Sequence, residues 1–193
     1  MIEQTLKDQL LFLREIEKLK TVNRMNKTLD GRQENSAEHS WHVALMAFVL
    51  EQYTDKSLDL LKVIKMLLIH DLVEIDAGDT WLYDSEANQV RKHAAEMSAA
   101  ERLFSLLPQP QREDYLMLWK EFEALSTNES KYASAIDGIQ PLLNHLVTGS
   151  PNDGAISLEK IKDKKSHIAT SFPRLGELVD QLIEESVGIG LYK

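Results

Sequence analysis

Apolar residues recur along this chain at intervals of three and four, and no convincing run alternates with period two. Leu6, Leu10, Leu13, Ile16 and Leu19 make the first such series and predict an amphipathic helix over residues 3–20. From Thr21 to Gln33 the pattern breaks. This stretch is polar, contains Gly31, carries Arg24, Lys27 and Arg32, and reads as a loop or irregular connection. Asn35 or Ser36 can cap the next helix, which runs through His39 to about Tyr53 with Glu38 in its first turn. Another begins at Asp55 or Ser57, contains Leu58, Leu61, Val63, Ile64, Leu67 and Leu68, and ends at Ala77-Gly78-Asp79. After a connection at 80–85, a long polar helix spans about Glu86 to Leu107, where Pro108 and Pro110 interrupt it. The next, Gln111 to Leu125, is expected to bury Tyr115, Leu118, Trp119 and Phe122. Thr127 or Asn128 then caps a helix holding Tyr132, Ile136, Ile139, Leu142 and Leu143, in which Pro141 predicts a kink or a shifted N-terminal boundary. Residues 149–154 read as a loop, and helices at about 157–169 and 173–186 follow. The expected fold is an all-α globule, a single domain over residues 1–193.

Several polar residues interrupt these apolar faces. His70-Asp71 follows Met66-Leu67-Leu68-Ile69 and is expected in the middle of a buried helix, with Glu74 on the same face by its spacing of four and three. His39 lies just inside the second helix, and Asp137 interrupts the apolar run Ala133–Ile139. Groups of this kind are costly to bury unless they are paired, ligated or neutralised. Singly, a buried His or Asp is more often a hydrogen-bonded core residue than a ligand, and only for the adjacent His70-Asp71 pair are the two readings even. Jointly, two imidazoles and two carboxylates on three helices can hold a divalent ion in a bundle core, with positions left for water and substrate. Such a donor set suits zinc, manganese, iron, cobalt or nickel without choosing among them.

Charge and composition narrow the partners. A formal net charge of −9 and a sequence pI near 5.2 argue against nonspecific binding to nucleic acid polymers or anionic membranes. Small phosphorylated substrates stay open, since a local basic pocket or a metal can hold them. There is no cysteine, which removes disulfides, thiolate metal sites and thiol nucleophiles together. The start of the chain lacks the basic and apolar segments of a signal peptide, and no apolar run reaches the length of a membrane span. A cytoplasmic protein is the expectation.

The order His39, His70-Asp71, Asp137 resembles the HD superfamily of metal-dependent phosphohydrolases. Glu34-Asn35-Ser36-Ala37-Glu38-His39-Ser40, and His70-Asp71-Leu72-Val73-Glu74 through Gly78-Asp79, are similar to the branch of small HD-domain 5′-deoxynucleotidases. The resemblance covers about residues 20–145, ahead of C-terminal helices at about 155–187. It implies a helical bundle with one divalent metal (Mn, Co, Zn, Fe, Ni or Mg) in its core, bound by His39, His70, Asp71 and Asp137. It also implies hydrolysis of phosphate esters, most plausibly nucleoside 5′-monophosphates, by a metal-activated water. Glu74 matches the residue that aligns or deprotonates the water or protonates the leaving oxygen. Its other reading is a hydrogen-bond partner that fixes His70. Asp79 matches an acid near the sugar hydroxyls, or it simply caps the following helix. Arg24 is the candidate for the phosphate, since its fork suits phosphate oxygens. Bacterial nucleotidases of this branch carry an Arg-Trp pair in this region, whereas here Met25 follows Arg24.

Other readings compete. An HD phosphodiesterase or nucleotide pyrophosphohydrolase is one, and a non-catalytic scaffold holding metal or nucleotide is another. His42 reads as a packing residue or a partner of Glu38, and Arg91-Lys92-His93 as a solvated basic face. His145 and His167 show no constellation. A homodimer is expected from similar proteins, with the apolar positions of the last two helices either forming its interface or closing the core.

Overall fold

A computed structural model describes residues 3–79, 86–149 and 157–192. Helix α1 (Gln4–Ile16) tightens into a 3-10 turn at Glu17–Thr21. The leucine series that predicts α1 is buried only at its end: Leu6, Leu10 and Leu13 are exposed, Ile16 is partly buried and Leu19 enters the core, joined by Phe12 from outside the series. Phe12 packs edge-on against Tyr115, with ring centroids 5.9 Å apart.

The polar stretch after α1 is a β-hairpin rather than a loop. Strand β1 (Asn23–Lys27) pairs antiparallel with β2 (Gln33–Asn35), Asn23 opposite Asn35 and Lys27 opposite Gln33, with an irregularity between. Its inward residues are Asn26 and Glu34, so no apolar alternation advertises it. Helix α2 (Ser36–Leu50) starts on a capping box in which the Asn35 side chain accepts from the Glu38 N–H and Glu38 reaches back to the Asn35 N–H. Arg32 clamps Glu38 with two bonds of 2.9 and 2.7 Å, locking the hairpin to the start of α2.

Helix α3 (Leu60–Ile69) is capped by Asp59 and ends at Ile69. His70–Val73 continues as a 3-10 turn, and α4 (Glu74–Ala77) as a single further turn. The expectation of His70-Asp71 in mid-helix is therefore corrected, because the pair sits where the α-helix tightens. This break keeps His70, Asp71 and Glu74 all buried. Trp119 fixes it from outside, its indole N–H donating to the His70 carbonyl at 3.2 Å.

The remaining helices are α5 (Glu86–Phe104), α6 (Gln111–Ala124), α7 (Asn128–Thr148), α8 (Leu158–Ser171) and α9 (Pro173–Gly188). Thr127 caps α7, which runs on through Pro141 without a boundary there, and Gly149 ends it. The expected connection at 80–85 and most of the loop at 149–154 lie outside the described residues. The architecture is an all-α bundle carrying one small hairpin. One apolar cluster joins α2, α3, α7, α8 and α9, and a second joins α1, α5, α6 and the end of α3. Met66 and Leu67 belong to the first, and Ile69, Leu72 and Val73 to the second. His70-Asp71 therefore lies at the seam. Apolar positions of the last two helices, including Ile161, Ile168, Leu175, Val179 and Ile183, are taken up by the core, which leaves them unavailable as an interface. No helix among the described residues is long and apolar enough to cross a membrane.

A close helix approach occurs at Gly176 of α9, where an added Cβ would lie 2.5 Å from the Ala169 Cβ and 2.6 Å from its Cα. Backbone cannot yield as a flexible side chain would. Gly176→Ala is expected to cost about 1–3 kcal/mol through overpacking, read as a lower midpoint in thermal unfolding. An unchanged midpoint would contradict this packing.

Candidate metal centre

Three buried or half-buried side chains from three elements meet at one point. His39, on the first turns of α2, places Nε2 2.8 Å from Oδ1 of Asp137 on α7. His70 places its Nε2 3.6 Å from the same oxygen. The two imidazole centroids are 5.6 Å apart, and the Phe122 ring lies 5.1 Å from that of His70, forming an apolar wall. The donor atoms of His39, His70 and Asp137 all lie within 4.8 Å of one another, close enough to hold one ion. Asp71 joins them from the 3-10 turn, with Oδ1 3.1 Å from the His70 Nε2 and Oδ2 3.9 Å from the His39 Nε2.

Hydrogen bonding on the far side of each ring decides which nitrogen faces the centre. Nδ1 of His70 lies 2.8 Å from the Leu67 carbonyl, which can only accept, so the proton is on Nδ1. Its Nε2 is buried and makes no hydrogen bond. Nδ1 of His39 lies 3.2 Å from Gln140 Oε1, and the Gln140 amide is oriented by donating from Nε2 to Glu34 Oε1 at 3.0 Å. Both rings thus offer Nε2 lone pairs to the carboxylates of Asp71 and Asp137. Four electron-rich groups turned toward each other inside a protein call for a cation, and imidazole with carboxylate is a donor set for divalent metals. The residues fit such an ion. Asp137 keeps about a third of its side chain open to solvent, leaving a side for water or substrate.

Without metal, protons take up this role. Burial acts to lower the His70 pKa, but the charges of Asp71 and Asp137 outweigh it and raise it to about 9. For Asp137 burial acts upward, and the hydrogen bond of His39 together with the charges of His70 and His39 overrides it, holding the carboxyl well below the usual range.

Arg24, on β1, reaches into this cluster and donates from Nη1 to Asp71 Oδ2 at 2.8 Å. Its Nε lies 3.6 Å from Glu34 Oε2, and both of those atoms are buried without a hydrogen bond. Burial works against its charge, yet the fields of Asp71, Asp137, Glu74 and Asp79 raise its pKa further. Glu74 is buried and accepts from the Ser36 hydroxyl at 2.6 Å. Burial, then the charge of Asp71, raises it to about 8 against the opposing pull of Arg24. Asp79 is half-buried, and its charge acts on both Arg24 and Glu74. The structure therefore brings together His39, His70, Asp71, Asp137, Glu74 and Arg24, with Asp79 at their edge.

Other sequence candidates lie apart. Arg32 is bound to Glu38, which displaces the expected His42–Glu38 pairing, and the His42 Nδ1 instead approaches the Gln140 amide at 3.5 Å. Lys92 pairs with Glu96 at 3.4 Å and still feels the charges of Glu74 and Asp71, so it is more than a solvated face. His145 is buried between Tyr192 and Asn26. His167 bonds the Lys164 carbonyl at the surface. Gln140, Glu34 and Ser36 were missed as supports. Glu34 and Ser36 stand inside the quoted motif, but Gln140, three residues after Asp137 on α7, carries no signal of its own.

Residues 16–176 match the HD domain family. The 5′-deoxynucleotidase HDDC2 of Homo sapiens is 30% identical over 136 residues, or 69% of this chain and 65% of that protein, so the match spans just under two thirds of the relative's length. A solved structure described as a predicted metal-dependent phosphohydrolase from Magnetospirillum magnetotacticum superposes with a TM-score of 0.90 at 41% identity, over 98% of this chain and 99% of its own. An HD-domain phosphohydrolase from Listeria innocua shares the fold at a TM-score of 0.69 and 18% identity, over 95% of this chain and 92% of its own.

Two outcomes follow from this geometry. His70 and Glu74 bind protons more tightly in the folded protein, since their values rise from 6.5 to about 9 and from 4.5 to about 8. Their stabilisation is complete below the unfolded values and is lost as pH rises through the folded ones. Metal-free protein should show a falling thermal midpoint between about pH 6.5 and pH 9, whereas the rise on adding manganese or cobalt should grow, because the ion must displace the His70 proton. A metal-induced rise that shrinks with pH would contradict the assigned lone pairs. Gln140→Leu removes the acceptor for the His39 Nδ1–H and should weaken metal affinity by about 10- to 100-fold, measured by competition with a chelating dye.

Proposed function

The chain belongs to the HD domain family, and on that footing we propose that it is a metal-dependent phosphomonoesterase acting on nucleoside 5′-monophosphates or similar small phosphorylated metabolites. One observation carries the reading. The two Nε2 lone pairs and two carboxylates converge at a half-open point, with a buried acid and a partly buried guanidinium beside it. Metal binding is assigned to His39, His70, Asp71 and Asp137. A divalent ion held there would supply Lewis-acid polarisation of a phosphate oxygen and a water acidic enough to attack at neutral pH. The name of the human relative, a 5′-deoxynucleotidase, supports a nucleotide as the substrate.

The chain's own residues account for the remaining needs. Arg24 spends one donor on Asp71 and has further N–H groups with which to orient a phosphate oxygen. In hydrolysis the water oxygen bonds to phosphorus, the bond from phosphorus to the ester oxygen breaks, and a proton must leave the water and reach the departing oxygen. Glu74 is assigned to that proton. Its raised pKa keeps a proton on the carboxyl near neutrality, and the Ser36 hydroxyl fixes its direction. Asp79, at the edge near Glu74 and Arg24, is assigned to a sugar hydroxyl. Phe122 and the surrounding apolar cluster keep the His70 side dry. The reading includes a cytoplasmic setting, one domain and a homodimer. Support for the dimer is the outward face of α2, where Trp41, Leu45, Phe48 and Val49 are exposed at helical spacing.

Protein stripped of metal and reloaded with manganese or cobalt should release inorganic phosphate from a panel of nucleoside monophosphates. No turnover with any divalent ion would sink the reading. Glu74→Gln should retain the metal and lower kcat by about 10²- to 10⁴-fold. Full activity in that variant would remove Glu74 from the mechanism.

A further inference from the structure

Among the described residues, Arg24, Arg32 and Lys92 have acid partners and Lys165 does not. Arg24 is bound to Asp71, Arg32 to Glu38 and Lys92 to Glu96. Lys165, on α8, is 7% exposed, and among the described residues its ammonium has neither a carboxylate within 4 Å nor a hydrogen bond. An ammonium buried without a counter-ion is expensive to keep. Its nearby polar neighbour is no remedy, since His145 is committed to Tyr192 and Asn26.

The chain makes room for this side chain at a telling place. Gly138 directly follows Asp137 in α7. A Cβ added there would stand 3.4 Å from the Lys165 Nζ and 3.3 Å from the Ile168 Cδ1. Glycine in a helix interior is less favourable than alanine, and here it leaves a slot through which the lysine head reaches the Asp137 turn. Electrostatics agree with that position. Burial, the largest effect, lowers the Lys165 pKa overall; the charge of Asp137 opposes it and that of Arg24 adds to it, so both charges are felt at the ammonium.

We infer that Lys165 is a further substrate-binding residue, its ammonium taking an anionic oxygen of the phosphorylated substrate on the Asp137 side of the centre. The inference rests on the phosphohydrolase reading above. Arg24 and Lys165 approach from different elements, the hairpin and α8. A phosphate held between them supplies a counter-charge that the described residues do not give Lys165. Lys165 is a binding residue here and takes no part in moving protons.

The test uses full-length, metal-loaded protein with Lys165→Met and Lys165→Gln. Expected are a KM for the best nucleoside monophosphate and an inhibition constant for inorganic phosphate that both rise roughly 10- to 100-fold. Metal content should match the wild type, and the thermal midpoint should be equal or higher, because a buried uncompensated charge has been removed. Unchanged KM and unchanged phosphate inhibition in an active protein overturn the inference. Affinity lost together with metal content or thermal midpoint also overturns it, because Lys165 would then be holding the bundle together. If the wild type hydrolyses no monophosphate, the failure belongs to the phosphohydrolase reading. Calorimetry of inorganic phosphate with wild type and Lys165→Met then decides the lysine separately, equal affinities overturning the inference.

Discussion

Everything near the centre depends on a single carboxylate oxygen shared by two imidazoles. Asp137 Oδ1 is approached by His39 from α2 and by His70 from the turn after α3, which ties three elements far apart in sequence to one atom. That meeting is unfavourable in itself, because every participant is polar and the setting is apolar. It persists because each ring is held from behind, one by a backbone carbonyl and one by the Gln140 amide. Those supports set the direction of the lone pairs before any ion arrives. The site is built outward from its restraints.

A second layer sits outside this one and has a different character. Arg24, Glu34, Ser36 and Glu74 are charged or hydroxylic, buried or, for Arg24, partly so, and reach from the hairpin toward the short helix α4. Some of their atoms find no hydrogen-bond partner among the described residues, namely the Arg24 Nε and Glu34 Oε2. Buried polar atoms in native structures are generally satisfied. Their concentration around one point marks a surface shaped for something polar to enter.

The helical architecture was legible in the sequence because the three-and-four spacing and caps such as Asn35 and Thr127 are local signals. The metal set was legible because lone acids and histidines stand out against apolar helices. The hairpin was not. Its strands are polar and held by backbone pairing and the Arg32–Glu38 clamp, neither of which leaves a periodic trace. The tightened turn at His70–Val73 was also hidden, since an apolar run cannot tell an α-helix from a 3-10 turn; its cause lies in part in Trp119, 49 residues away. The α1 stripe misled because exposure there depends on which neighbours are present, and only Phe12 and Leu19 met any deeply. Pro141 was expected to kink α7 or shift its boundary, yet the helix keeps its N-terminus at Asn128 and runs on through the proline, because the Thr127 cap sets that end.

The hairpin leaves the two tasks of the centre physically separable. Three of the four candidate ligand positions and Glu74 are embedded in residues that are almost wholly buried, so substitutions there disturb packing on several sides. The hairpin delivers Arg24 from an appendage whose outer residues, such as Met25 and Leu29, are open to solvent. Mutational drift can therefore accumulate on the hairpin at small cost to the fold while the reactive core stays fixed. Divergence in what these proteins accept, and directed evolution of new acceptance, should begin at the exposed hairpin residues such as Met25 and Leu29, leaving the reaction type unaltered.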